Sequence, residues 1–342
     1  MAANYNNAEP KLRPVAQSQD RISLLTQWLN TLAEGNFSAP LPASADASFR
    51  RYFRVHDNAA NTDRIVMDAP PDKEDCSAFI HVTHLLRGVG VNAPAILAQD
   101  LAQGFLLLED LGSEPYLGLL NDNSADRLYA DAIGALVRMQ AIKNNLPAYD
   151  SQRLQTEMGL FETWYLNRHL GVQLESDQQQ TLAQCCQLLI DNARQQPQVF
   201  VHRDYHSRNL MKTSSNNPGV IDYQDAVIGP ISYDLVSLFK DCYIAWPRDR
   251  IEAWLKNYLA AASLEVDFKT FLRWFDLMGV QRHLKVLGIF SRLNYRDGKA
   301  QYLDDLPLTL TYVVDACERY AELKPLLELL QSCVLKHSPA GD

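Results

Sequence analysis

The sequence predicts an α+β protein with a small β-rich N-lobe and a larger, mostly helical C-lobe. Two observations lead to this prediction. Apolar segments of strand length, separated by polar turn residues, cluster before residue 112. Beyond residue 113, apolar residues instead recur with the period of an α-helix. A chain of 342 residues is long enough for two such lobes.

The expected boundaries follow from this change of pattern. Residues 1–19 are rich in Asn, Gln, Pro and Ala and lack the apolar stretch of a signal peptide, so we expect a flexible leader there. The N-lobe is expected over residues 20–112 and the C-lobe over residues 113–342.

In the N-lobe, Asp20 is expected to be the N-cap of an amphipathic helix that ends at Gly35. Further elements are expected as strands over 49–55, 64–67 and 105–108 and a helix over 77–88. In the C-lobe, helices are expected over 124–143, 152–170, 177–195, 234–245, 248–262, 267–296 and 308–334, with two short strands, 199–201 and 220–223.

Composition excludes several classes of function. A net charge of −9 argues against a general nucleic-acid binder, whose surface should be basic. No apolar run approaches the length of a membrane span. The six cysteines show no C-x-x-C spacing and are expected to be reduced, buried thiols. We therefore expect a cytoplasmic monomer that binds neither nucleic acid nor a membrane.

One short stretch contains the main candidate catalytic and metal-binding residues. Residues 202–209 read H-R-D-Y-H-S-R-N, which fits the catalytic-loop pattern H-R-D-x-x-x-x-N of kinase-type phosphotransferases. In that pattern Asp204 meets the acceptor hydroxyl and Asn209 binds Mg²⁺. Asp222 follows thirteen residues later, at the end of an apolar run, and would supply a carboxylate to the same metal. The sequence therefore predicts phosphoryl transfer that depends on ATP and Mg²⁺.

Four neighbouring polar residues are expected to have other roles. His202 is expected to be a structural histidine beneath the metal-binding loop rather than a general base. Arg203 is expected to pair with a local carboxylate. Asp225 either helps to bind a second Mg²⁺ or is an exposed loop carboxylate. Asp234 precedes an apolar run and is expected to be the N-cap of a helix.

Two usual parts of a kinase-type nucleotide site are missing. The third strand normally carries a Lys for the phosphates, but residues 65–68 read I-V-M-D. Arg50, Arg51 and Arg54 are the candidate replacements, since arginine can bind phosphate oxygens in a bidentate manner. The loop 44–48 reads S-A-D-A-S and has no glycine, although its small residues would let backbone N–H groups approach phosphate. Solvated surface arginines, or an inactive protein, are the alternatives.

A family resemblance appears in the same region. The sequence I-D-Y-Q-D-A-V-I-G-P at 221–230, followed by Y-D-L at 233–235, resembles the I-D-[WFY]-x-x-x-x-x-G-P-x-x-x-D-[LV] block of the aminoglycoside phosphotransferase/choline kinase superfamily, which has a protein-kinase-like fold. Residues 48–54, 66–71 and 105–112 are most similar to the anomeric N-acetylmuramate/N-acetylglucosamine kinases of Gram-negative cell-wall recycling. The matching pieces extend from about residue 48 to about residue 240, and the C-terminal third matches only loosely.

The resemblance implies a sugar kinase active in peptidoglycan recycling. It implies that ATP binds between the lobes with its adenine against the backbone from Glu109 to Leu111, and that Asn209 and Asp222 hold Mg²⁺. Asp204 would accept the proton of the anomeric C1 hydroxyl. The product would be a sugar 1-phosphate.

The acceptor pocket is expected in the C-lobe. Trp164, Arg168, Tyr243, Arg292 and Tyr295 are candidate wall residues, because aromatic rings stack on sugar faces and arginine can pair with a lactyl carboxylate. Two alternatives remain open. One is phosphorylation of an aminoglycoside or choline, cationic substrates that call for clusters of acidic residues. The other is a nucleotide-binding regulator without catalysis, which the missing Lys would explain.

Overall fold

The computed structural model describes residues 15–32, 36–45, 49–143 and 145–334, which divide into two compact units. The first unit ends at Thr83 and also takes in Pro94–Leu111. The second unit contains His84–Ala93 and the described residues from Gly112 onward. Residues 84–93, which the expected boundaries assign to the N-lobe, therefore belong to the second unit.

The first unit contains a five-stranded sheet whose adjacent strands are all antiparallel, in the order β1-β2-β3-β5-β4. The three strands expected from sequence are confirmed as β2, β3 and β5. The two short strands at the sheet edges, β1 and β4, were not predicted from the sequence. The bounds are β1 (Leu41–Ala45), β2 (Arg51–Asp57), β3 (Thr62–Asp68), β4 (Ile96–Asp100) and β5 (Phe105–Glu109).

One helix, α1 (Val15–Thr31), packs on this sheet. Burial of apolar side chains stabilises the contact by roughly 1.5 to 3 kcal/mol for each large residue. The shared core consists of Leu25, Trp28, Leu29, Phe53, Val55, Val66, Phe105 and Leu107.

The start of α1 corrects an expectation. Because the helix begins at Val15, Asp20 lies inside it and is not its N-cap. Residues 15–19 of the expected leader are therefore helical, and its first fourteen residues lie outside the described ones. Gly35 and residues 46–48 of the small-residue loop also lie outside the described residues, whereas Ser44 and Ala45 belong to β1.

The second unit is predominantly helical, and with the sheet of the first unit this confirms the α+β class. Helix α2 (Ser77–Gly88), which has the bounds expected from sequence, crosses the division between the units. The remaining helices are α3 (Ala125–Gln140), α4 (Ser151–Leu160), a π-helix (Phe161–Leu170), α5 (Ser176–Gln195), α6 (Tyr233–Phe239), α7 (Arg248–Ala262), α8 (Phe268–Asp297), α9 (Leu306–Arg319) and α10 (Lys324–Cys333), with short 3-10 helices at Tyr116–Gly118, Ala300–Asp305 and Ala321–Leu323.

Three expected helices differ from the structure. The helix expected over 152–170 is α4 followed by the π-helix. The helix expected over 234–245 ends at Phe239, as α6. The helix expected over 308–334 is two helices, α9 and α10, and Pro325 lies in the first turn of the second. Proline is tolerated in a first turn but not in a helix interior, so its position explains the break.

Four short strands of the second unit form two antiparallel pairs that hold the loops between them. They are β6 (Gln198–Val201) with β9 (Val227–Pro230), and β7 (Leu210–Met211) with β8 (Gly219–Val220). The strand expected over 220–223 is wrong beyond Val220, because the chain leaves the β conformation there.

Helix α8 is the buried centre of the second unit. It packs against α4, the π-helix, α5, α6 and α9, so residues on all its sides are buried along most of its length. The buried residues of this helix include several polar or charged side chains, among them Arg282, His283 and Lys285.

All six cysteines are buried free thiols, as expected from sequence. Within the described ranges, no helix is both long enough and apolar enough to cross a bilayer.

Candidate active site

The loop between β6 and β7 brings the three central residues of the sequence prediction together. The side-chain amide of Asn209 donates one hydrogen bond to the backbone oxygen of Asp204, at 3.0 Å. It donates another to Oδ2 of Asp222, at 3.2 Å. These contacts lie inside the second unit and join the catalytic loop to the segment that follows β8.

Asp222 occupies a special backbone position. Its φ is 66°, in the left-handed region that non-glycine residues seldom adopt, although Asp tolerates it better than most. The amide of Gln224 donates to Asp222 Oδ1 at 2.9 Å. Such conformations cost of order 1 to 3 kcal/mol and cluster at functional sites.

Asn209 and Asp222 offer oxygen ligands of the kind that Mg²⁺ prefers. Across the part of the chain that the structure describes, no three His, Cys, Asp or Glu side chains form a metal-binding group. A Mg²⁺ ion held by these two residues would take its remaining ligands from phosphate oxygens and water, as is usual in kinase sites. The residues present fit that ion.

The carboxylate of Asp204 is held in its ionised form. Burial by itself raises its pKa, but attraction to Lys285, Arg282 and further cations outweighs burial and lowers the pKa to about 2. Asp204 can accept a hydrogen bond from a hydroxyl at any pH near neutrality. An ionised carboxylate of low pKa positions the hydroxyl well and accepts a proton only late in the reaction.

His202 is a structural residue, as expected. Its Nε2 lies 3.1 Å from the backbone oxygen of Ile221, and its Nδ1 accepts the backbone N–H of Asp204 at 3.3 Å. Burial lowers the pKa of His202 to about 4, so the ring is neutral. With Nδ1 as acceptor, Nε2 carries the proton and donates to Ile221.

Arg203 pairs with a carboxylate, again as expected, but the partner lies far away in sequence. Its guanidinium donates to Glu157 on α4, and Lys285 on α8 lies 3.5 Å from the same carboxylate. The hydroxyl of Tyr149 also donates to Glu157. Arg203 has a φ of 79°, so these contacts hold the residue before Asp204 in a strained conformation.

The role expected for Asp234 is wrong. Helix α6 begins at Tyr233 and has Ser232 as its N-cap, so Asp234 lies in the first turn. Its carboxylate accepts the backbone N–H groups of His202 and Arg203, at 2.7 and 3.0 Å. Asp234 therefore fixes the catalytic loop rather than capping its own helix.

Asp241, which was not predicted from the sequence, performs the same task at the other end of the loop. Its Oδ2 accepts the backbone N–H of Ser207 at 3.0 Å, and its Oδ1 accepts that of Tyr243 at 3.2 Å. Its sequence context is a carboxylate two residues after the end of an apolar helix, which is too common to identify such a role.

The three arginines expected at the nucleotide phosphates all form ion pairs inside the first unit. Arg51 pairs with Asp68, whose buried carboxylate also binds Arg21 at 2.9 Å. Arg54 pairs with Asp110. The remaining pair joins Arg50 to Glu74, with N–O at 3.2 Å.

The segment expected to contact adenine continues from β5. The backbone N–H of Glu109 donates to the backbone oxygen of Ala95 at 2.9 Å, and its side chain accepts the N–H of Ala95 at 3.2 Å. Leu111 is the last residue of the first unit.

The candidate acceptor residues fall into two groups. Tyr243 lies against the catalytic loop, with its ring centroid 3.5 Å from the guanidinium carbon of Arg208 and 5.4 Å from the His206 ring. Arg168, on the π-helix, lies over the ring of Tyr295, 5.5 Å from its centroid. Of the other two candidates, Trp164 is on the π-helix beside Arg168, and Arg292 is on α8 near Tyr295.

Comparison with known proteins agrees with the motif. A family model described as "Phosphotransferase enzyme family" (APH) matches residues 41–274. The chain is 48% identical over 329 residues to an N-acetylmuramate/N-acetylglucosamine kinase of Pseudomonas aeruginosa, covering 91% of this chain and 96% of the relative. It is 46% identical over 327 residues to the kinase of the same name from Pseudomonas putida, covering 91% and 96%.

The fold has counterparts among solved structures. The crystal structure of an ADP-bound aminoglycoside phosphotransferase, APH(2'')-Ib, matches with a TM-score of 0.57 and 13% identity, covering 85% of this chain and 97% of that chain. At this identity the likeness concerns the fold alone. The family model, however, spans more than half of the chain, and the relatives match nearly its whole length. The resemblance seen in the motifs is thus confirmed, and the chain belongs to the phosphotransferase enzyme family.

Proposed function

We propose that the protein is an ATP- and Mg²⁺-dependent kinase that phosphorylates the anomeric hydroxyl of N-acetylmuramate and N-acetylglucosamine. The observation that carries this proposal is the contact of Asn209 with both Asp204 and Asp222, in a chain almost half identical to kinases of that name. We further propose that it acts in the cytoplasm, as a monomer, in peptidoglycan recycling.

Asp204 is the proposed catalytic residue. It accepts a hydrogen bond from the C1 hydroxyl, aligns the oxygen with the transferred phosphoryl group and takes the proton late. An anomeric hydroxyl is more acidic than an ordinary alcohol, so a carboxylate whose pKa is about 2 is an adequate base for a late transfer. Asn209 and Asp222 would hold Mg²⁺, which neutralises charge on the phosphates when bound.

Arg50 is the proposed counterpart of the missing strand lysine. In protein kinases that Lys pairs with a helix Glu. Here Arg50 pairs with Glu74, just before α2, and Glu74 also accepts the backbone N–H of Phe49 at 2.9 Å. Arg51 shares the buried Asp68 with Arg21, and Arg54 pairs with Asp110, so both would bind phosphate only by exchanging partners.

The adenine is proposed to contact the backbone between Glu109 and Leu111. The acceptor is proposed to contact Tyr243, whose ring lies against His206 of the catalytic loop. Trp164, Arg168 and Arg292 remain proposed contacts for more distant parts of the sugar. Aromatic stacking would favour a sugar face over a cationic aminoglycoside or choline.

A coupled assay of ADP release with a panel of acceptors tests the proposal. We expect turnover with N-acetylmuramate and N-acetylglucosamine and none with aminoglycosides or choline. Turnover with the cationic acceptors alone would identify a different member of the same family. Nucleotide binding without turnover on any acceptor would indicate a regulator.

The position of the phosphate needs a separate measurement. Phosphorus NMR of the product should show coupling to the anomeric proton. Coupling to a methylene pair would place the phosphate on C6, which contradicts anomeric attack but leaves the kinase activity intact.

A further inference from the structure

A buried cation next to the catalytic loop has no acceptor for its hydrogen bonds. Arg282 on α8 is only 4% exposed, yet among the described residues it forms neither a hydrogen bond nor an ion pair. Its guanidinium carbon lies 5.7 Å from the centroid of the Tyr233 ring. Lys285, one turn along the same helix, is paired with Glu157.

This arrangement is costly unless a further group completes it. The positive charge of Arg282 is attracted to Asp204 and Asp241, but its buried Nε–H donates to no acceptor among the described residues, and a buried donor left unsatisfied is destabilising. The cation–π contact with Tyr233 offsets only part of that cost. An anionic ligand that accepts hydrogen bonds from this guanidinium would offset the cost of burying it beside the catalytic loop.

The position of Arg282 indicates which part of the reaction it serves. The positive charge of Arg282 helps to keep the pKa of Asp204 low, after Lys285, so the two groups are close enough to interact. On the same loop, Nδ1 of His206 is buried and has no partner within the described residues. The His206 ring in turn lies against Tyr243, the proposed acceptor contact. Arg282 and His206 thus each have a buried nitrogen without a partner among the described residues, and both interact electrostatically with Asp204.

We propose that Arg282 binds the carboxylate of the acceptor and so determines the preference for a sugar acid over its neutral counterpart. This inference rests on the proposed function. N-acetylmuramate carries a lactyl carboxylate that N-acetylglucosamine lacks, and a guanidinium fork matches a carboxylate with two parallel hydrogen bonds.

Buried surroundings strengthen that pairing. Arg168, an arginine expected from sequence to have this role, is exposed and lies over the Tyr295 ring, where a bound carboxylate would stay hydrated. At Arg282 the carboxylate would lose its water and gain an already desolvated partner. The buried site therefore gives the larger discrimination.

The test compares kcat/KM for three acceptors: N-acetylmuramate, its neutral carboxamide and N-acetylglucosamine. Wild-type protein should prefer the acid to the carboxamide by roughly 10- to 100-fold, the usual range for a charge-assisted pair. In Arg282→Gln the acid and the carboxamide should have about the same kcat/KM. The loss on N-acetylglucosamine should be at least about tenfold smaller than the loss on N-acetylmuramate. Arg296→Gln, an exposed arginine on the same helix, is the matched control and should keep the wild-type ratio.

Each remaining result overturns the proposal. If the wild-type protein has the same kcat/KM for the acid and the carboxamide, no residue binds the carboxylate. This outcome does not depend on whether Arg282→Gln folds. A wild-type ratio retained in Arg282→Gln assigns the carboxylate to another residue. Arg282→Met, which also removes the charge, gives the same test if the first variant does not fold. Equal losses on all three acceptors would make Arg282 a structural or phosphoryl-binding residue. Turnover on N-acetylglucosamine without any acid preference refutes the inference alone, whereas no turnover on either sugar refutes the proposed function as well.

Discussion

The carboxylate of Asp234 accepts the backbone N–H of His202 at 2.7 Å, which ties the first turn of α6 to the start of the catalytic loop. Its second oxygen accepts the N–H of Arg203 at 3.0 Å. Both carboxylate oxygens are therefore used on the two residues that precede Asp204. These two hydrogen bonds explain how Arg203, which is not a glycine, is kept at a φ of 79°.

Removing this carboxylate should destabilise the protein. Asp234→Ala leaves two buried N–H groups without acceptors, so we expect a loss of roughly 2 to 5 kcal/mol in the free energy of unfolding. Asp234→Asn keeps one acceptor oxygen and should lose about half as much. Urea denaturation of the three proteins measures both values. Equal stability of Asp234→Ala and wild type would show that the two hydrogen bonds contribute nothing.

The same residue should give stability an unusual dependence on pH. Burial raises the pKa of Asp234 to about 7, although the hydrogen bonds from His202 and Arg203 oppose the rise. Its ordinary value, in the unfolded chain, is about 3.9. Because the folded state holds this proton more tightly, the contribution of Asp234 to stability is full below about pH 4 and is lost as pH rises through about 7.

Urea midpoints of wild type and Asp234→Asn between pH 5 and pH 8 test this dependence, because other titrating groups cancel in the difference. The stability of wild type relative to Asp234→Asn should fall as pH rises and level off above about pH 8. A relative stability that does not change between pH 5 and pH 8 would mean that the carboxyl group of the folded protein is already ionised over this range.

Local and distant interactions differ in how well the sequence predicted them. The contact between Asp204 and Asn209 was predictable because fixed spacing within a short loop limits where their side chains can lie, and Asp222 was predictable because it follows an apolar run at a fixed distance from that loop. The partner of Arg203 was not, because Glu157 lies 46 residues away and nothing in its own segment marks it. Asp234 was misassigned because an Asp before an apolar run is also typical of an N-cap. The pattern does not distinguish an N-cap from a carboxylate that binds a distant loop.

The same distinction holds for the secondary structure. Helical periodicity predicted α5, α7 and α8 to within about two residues. It did not predict that α4 continues as a π-helix from Phe161, because the pattern of apolar residues barely changes between the two helix types. The strands β1 and β4 were missed because each has only five residues and lies at a sheet edge, with little burial pattern to detect.

Asp204→Asn should separate catalysis from binding. The amide has the same shape but cannot accept the proton, so kcat should fall by a factor on the order of 10² or more. Calorimetry should show unchanged binding of Mg·ATP, because the proposed metal ligands are retained. Turnover close to that of wild type would remove Asp204 from the catalytic role.

Asp222→Asn should have the opposite effect. Asn tolerates the left-handed φ of 66° as Asp does, so the backbone should be retained while one negative charge is lost from the proposed metal site. We expect ATP binding to lose its dependence on Mg²⁺, at a cost of at least tenfold in Kd. Calorimetric titrations with and without Mg²⁺ measure this, and an unchanged Mg²⁺ dependence would place the metal elsewhere.

Helix α8 approaches the end of α4 closely at Gly288. A Cβ atom added at Gly288 would lie 2.4 Å from the backbone carbon of Leu160 and 2.5 Å from its oxygen. Backbone atoms cannot move aside as a flexible side chain can, so Gly288→Ala must push the two helices apart. Overpacking of this kind costs about 1 to 3 kcal/mol or more, which exceeds the gain of about 1 kcal/mol from replacing glycine in a helix.

Gly279→Ala on the same helix provides the matched control. Its added Cβ would meet Lys240 Cδ at 3.7 Å, an ordinary contact, so we expect unchanged or slightly higher stability. Leu160 directly precedes the π-helix that carries Trp164 and Arg168, so a shift at Gly288 should also raise KM for the acceptor while leaving KM for ATP near its wild-type value. Urea denaturation and acceptor titrations of both variants test this. Equal behaviour of the two alanine variants would show that the contact between Gly288 and Leu160 is not tight in solution.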